Sequence, residues 1–102
     1  MPNAGQPIAD QLQTALHGAL VKARSLKDFQ AELYSLSFTG GDNWWAVLRL
    51  IPRRQREVPL TSENIGAIAK ELSHLIHHPV KFRQFMLGKN IRLVFAIQYQ
   101  QR

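Results

Sequence analysis

The sequence predicts an α+β fold in which helix, hairpin, helix and hairpin follow one another, giving a four-stranded, largely antiparallel sheet with its helices packed on one face. Three observations carry this. Two segments repeat apolar residues at steps of three and four, other segments alternate apolar and polar residues at steps of two, and glycine-containing turns sit where strands must reverse.

Ile8, Leu12, Leu16, Ala19, Leu20 and Ala23 line one face of a first helix, expected from Pro7, which suits a first helical turn, to about Arg24. Ser25 followed by Asp28 resembles a capping box, and Leu26, Phe29 and Leu33 continue at helical spacing, which predicts a second helical turn or a bent continuation. From Tyr34 the period becomes two, with Tyr34, Leu36 and Phe38 alternating with Ser35 and Ser37. Gly40 and Gly41 accept positive φ, and the apolar, aromatic run from Trp44 to Ile51, with Arg49 its lone charge, completes a hairpin. Trp44 and Trp45 must point to opposite faces. One belongs to the core, and the other, where exposed, is an interface anchor.

Pro52 and Pro59 bracket a polar loop containing Arg53, Arg54, Arg56 and Glu57. Thr61 is a good N-cap for a second helix, Glu63 suits the positive end of its dipole, and Ile65, Ile68, Ala69, Leu72, Leu75 and Ile76 mark its apolar stripe. Pro79 ends that helix near His77 or His78. The stretch from Leu87 to Asn90 fits a two-residue loop with Gly88 first, which pairs Leu87 with Asn90. That register sets Phe82 against Phe95 and Val80 against Ile97 on the apolar side. Lys81, Arg83, Phe85 and Arg92 then share the other side, with Phe85 directly across from Arg92.

Charge is distributed unevenly. Residues 72–102 hold Lys81, Arg83, Lys89, Arg92 and Arg102 and no acidic residue, so they supply +5 of the net charge of +6. Such a field attracts polyanions or an acidic protein. At 102 residues and 45% hydrophobic content the chain is expected to be one domain, with residues 1–6 as a flexible tail. Without cysteine it has no disulfide framework or thiolate metal cage, and with no basic leader followed by an apolar run its expected location is the cytoplasm, away from any membrane.

The basic hairpin combines cations that track phosphates with an aromatic that stacks on a base, the mixture used for single strands. Cations on strands also block edge pairing, so the same residues fit a solvated face. Arg53, Arg54 and Arg56 offer guanidinium forks to successive phosphates or to a partner's carboxylates. Glu71, His74 and His78 share a helical face, but no fourth ligand stands at a metal-site spacing, and histidines near a helix C-terminus also complement its dipole. No catalytic motif, metal site or cofactor signature is present, and His17 reads as a boundary residue. The expected function is a non-enzymatic basic module that binds nucleic acid, single-stranded rather than duplex, through Arg53, Arg54, Arg56, Lys81, Arg83, Phe85, Lys89 and Arg92. The alternative is a protein-interaction or assembly subunit, a homodimer, whose basic face meets an acidic partner.

Overall fold

The first apolar stripe folds as α1 (Gly5–Lys22), and Leu12, Leu16, Ala19 and Leu20 are buried along it. The structure, a computed structural model, describes residues 5–53 and 60–99. The helix therefore begins inside the stretch expected as a tail, and residues 1–4 lie outside the described residues. Next comes a single 3₁₀ turn at Arg24–Leu26, and then the chain is already extended in β1 (Phe29–Gly40). The expected second helical segment is thus a strand from Phe29 onward. Phe29, Ala31 and Leu33 also alternate with Gln30 and Glu32, and pairing with the next strand decides between the two periods in favour of the sheet.

β2 (Asn43–Pro52) returns antiparallel to β1, with Gly40 opposite Asn43 across a turn where Gly40 and Gly41 have φ of 116° and 59°. These values exclude most side chains. Pro52 is tolerated at the end of this central strand because its pairing on the other side stops at Leu50. After residues 54–59, which lie outside the described residues, α2 (Ser62–Ile76) starts on Thr61, whose hydroxyl accepts the Asn64 N–H at 3.1 Å. It ends where His77 turns left-handed at φ 61°.

β3 (Val80–Leu87) and β4 (Ile91–Gln98) form the second hairpin, and the sheet order is β1-β2-β4-β3. β4 pairs antiparallel with both β2 and β3, so β2 and β3 run parallel, and α2 carries the chain over β4 in a split strand–helix–strand crossover. The second hairpin is not laid beside the first in chain order: its last strand is central and its first strand is an edge. Leu12 and Leu16 of α1, Ile68 and Leu72 of α2, and Leu48, Leu50, Leu93 and Phe95 of the sheet belong to one buried cluster. Helices cover one sheet face, and among the described residues no helix or strand is laid on the other, which is called the open face below.

The predicted hairpin register fails near the loop. Leu87 pairs with Ile91, so the loop has three residues, and Phe85 lies opposite Leu93 on the helix side instead of across from Arg92. A bulge between Phe82 and Gln84 absorbs the extra residue at Arg83, and beyond it Phe82 opposite Phe95 and Val80 opposite Ile97 stand as expected. The longer loop would drive Lys81 into the core side without that bulge. With it, both ends of the strand keep their apolar residues toward the helices.

Candidate nucleic-acid interface

Pairing across four strands arranges the open face in rows. One row runs Ser37, Trp45, Ala96, Lys81; the next Ser35, Val47, Val94, Gln84; the third Glu32, Arg49, Arg92, Met86. Trp44 is buried at 6% exposure on the helix side, which leaves Trp45 on the open face at 44%. Ala96 beside it is small. A flat indole, a low methyl floor and the Lys81 ammonium two strands away therefore form a step about 10 Å wide, from two strand spacings.

Four residues along β2 from Trp45, or about 13 Å at strand rise, Arg49 and Arg92 lie directly opposite one another. Facing like charges on a sheet repel and need compensation. Glu32 supplies it for Arg49, accepting from Nε at 3.0 Å and forming an ion pair with Nη2. Tyr34 supplies it for Arg92: it is the extra residue of a β1 bulge between Leu33 and Ser35, and its ring reaches Arg92, whose guanidinium carbon sits 4.1 Å from the centroid. Arg49 is 5.8 Å from the same ring. Glu32 thus neutralises one of the two guanidinium groups, and the other, Arg92, is held over an aromatic face with no carboxylate partner among the described residues.

The predicted site residues divide among several places. Lys81 and Arg92 share the open face, and Arg83 sits at the β3 bulge. Phe85 belongs to the helix side and cannot join them. Lys89 occupies the exposed β3–β4 turn, at the same end of the sheet as Arg53. Arg53 is committed to the fold, its N–H bonding Asp28 O and its Nε bonding Phe29 O, each at 3.0 Å. Arg54 and Arg56 lie outside the described residues. Trp45, Tyr34, Arg49 and Glu32 take the places the predicted set lacked. A lone charge in an apolar central strand was the signal for Arg49, whereas no local pattern marks a bulge at Tyr34.

Glu71 and the histidines do not converge on a shared centre. The Glu71 carboxylate accepts from Ser25 N at 2.8 Å, Ser25 Oγ at 2.5 Å and Arg24 N at 3.0 Å, which caps the 3₁₀ turn from α2. The Ser25 hydroxyl above all, then the Ser25 backbone N–H, holds its pKa below the ordinary carboxylate value against the opposing effect of burial. His78 lies beyond the helix end with its ring centroid 4.2 Å from that of Tyr99, and burial, then the neighbouring His77 charge, lowers its pKa. Among the described residues, no group of three or more His, Cys, Asp or Glu side chains is placed to hold a metal. Nor is any described helix long and apolar enough to cross a membrane. Comparison of the sequence with protein-family models and with curated proteins returns no match.

Proposed function

We propose that this protein is a non-enzymatic module that binds single-stranded nucleic acid across the open face of its sheet. The observation that carries this is the pairing of a half-exposed Trp45 with the Tyr34-supported Arg49 and Arg92 on one uncovered antiparallel surface. A base stacks on the indole over Ala96, with its phosphate toward Lys81. The guanidinium groups about 13 Å away then take a phosphate or a second base roughly two nucleotides along an extended strand. A flat sheet suits unstacked bases, whereas a duplex hides its base faces. The cysteine-free composition supports a cytoplasmic setting.

Titration with labelled single-stranded RNA, single-stranded DNA and duplex DNA at two salt concentrations tests this. Trp45 is its own reporter, because a stacked base quenches an exposed indole. Trp45→Ala should weaken single-strand binding about 5- to 150-fold, the equivalent of roughly 1–3 kcal/mol for one stacked base, with little change in salt slope. Absence of binding to all three at low salt ends the proposal. A salt-insensitive dimer that dissociates on Trp45→Ala would instead assign the open face to a second copy of the chain.

A further inference from the structure

A second surface is left unsatisfied, on the edge of the sheet rather than its face. Of the eight residues of β3 only Val80 is buried. Phe82, Phe85 and Leu87 project to the helix side yet remain 36%, 37% and 77% exposed, because the helix layer meets this strand near Val80 and does not follow it outward. The opposite edge differs. α1 packs along β1, so on the helix side Phe29 is buried and Ala31, Leu33 and Leu36 pack against the core, which leaves Phe38 beside the turn as the exposed apolar residue of that side.

We propose that the free edge of β3 docks an extended, acidic segment of a partner protein, one in which carboxylate and apolar residues alternate. Such a segment adds a fifth strand by main-chain hydrogen bonds. Its apolar residues cover Phe82, Phe85 and Leu87 on the helix side, and its carboxylates fall on the side of Lys81. Charge selects this occupant. Lys81, Arg83 and Lys89 stand on or beside the edge, residues 72–102 contain no acid, and among the described residues the ion pair that forms, Arg49 with Glu32, is two strands away. A second copy of β3 satisfies the backbone but brings two sets of cations together with no carboxylate between them. A polynucleotide meets the cations but has no ladder of amides, and nothing in it stacks on an aliphatic Leu87. The bulge at Arg83 divides the edge into two regular stretches, Val80–Phe82 with Lys81 and Gln84–Leu87 with most of the exposed apolar side chains, and leaves Arg83 between them.

The test is amide shift mapping of the full chain with a capped peptide of four valine–glutamate repeats, which matches the eight residues of β3. Saturable shifts confined to β3 and Lys89 are expected, with slowed hydrogen exchange at β3 amides. The valine–lysine counterpart should bind at least 10-fold more weakly. Leu87→Asp and Arg83→Glu, both at exposed positions, should each weaken the valine–glutamate peptide about 10-fold or more while the rest of the spectrum stays in place. Equal binding of the two peptides, no binding at low salt, or shifts centred on Trp45 would overturn the proposal. So would a dimer abolished by Leu87→Asp, which gives the edge to a second copy, or single-stranded RNA shifting the amides of Phe85 and Leu87.

Discussion

A carboxylate that accepts three hydrogen bonds from one turn is the clearest structural investment this chain makes in a single side chain. Glu71 joins α2 to the segment between α1 and β1. Replacing it by alanine strands the N–H groups of Arg24 and Ser25. Because the site is only partly covered, the cost should be about 1–2 kcal/mol, the range of a lost cap, read as a lower denaturation midpoint at neutral pH. Its pH dependence has a definite sign. Glu71 titrates below its ordinary value in the folded chain, so its contribution is complete above about pH 4.3, the unfolded carboxylate range, and is lost as pH falls through the depressed value. Glu71→Ala should therefore lose less stability than the wild type across that acid range, and parallel pH profiles would contradict it. Nothing local in the sequence reveals this role. The donors lie 46 and 47 residues away in the chain, so helical spacing groups Glu71 with His74 instead.

At the scale of elements, legibility follows the number of independent local signals. α2 has a cap, a stripe and a proline stop, and its buried face of Ile65, Ile68, Leu72 and Ile76 matches expectation. The turn at Gly40-Gly41 is equally clear, since its backbone demands positive φ. The β3–β4 loop is not, because Gly88 fits a two-residue loop as well as the observed three, and only the distant bulge at Arg83 makes the longer loop compatible with the core. Bulges at Tyr34 and Arg83 interrupt both edge strands, and they re-aim side chains by a count that alternation alone misreads. The end of α2 carries a testable strain. His77 holds φ 61°, where a side chain is unfavourable and glycine is the usual residue. His77→Gly should raise stability by about 0.5–1 kcal/mol, after offsetting glycine's greater unfolded freedom. An unchanged or lower midpoint in chemical denaturation would falsify the assignment of strain to this residue.

For the whole molecule, net charge and charge placement make different predictions. A formal charge of +6 attracts any polyanion weakly and without geometry. The open face adds a geometry, because Lys81 and Arg92 share it with Trp45 and Tyr34, whereas Lys22 at the end of α1 and Lys27 after the 3₁₀ turn belong to the opposite, helical layer. Two double variants then remove the same charge from different places. Lys81→Glu with Arg92→Glu should weaken single-strand binding steeply and lower the log–log salt slope by roughly 1.4, about 0.7 for each single-strand phosphate that is no longer neutralised. Lys22→Glu with Lys27→Glu should leave the slope nearly unchanged and reduce affinity only by the smaller long-range attraction, which salt screens within about 10 Å at 0.1 M. Direct titration of both variants, beside the wild type and at matched ionic strength, decides the matter. Equal losses would mean that net charge alone holds the nucleic acid, and the aligned rows of the sheet would have no part in recognition.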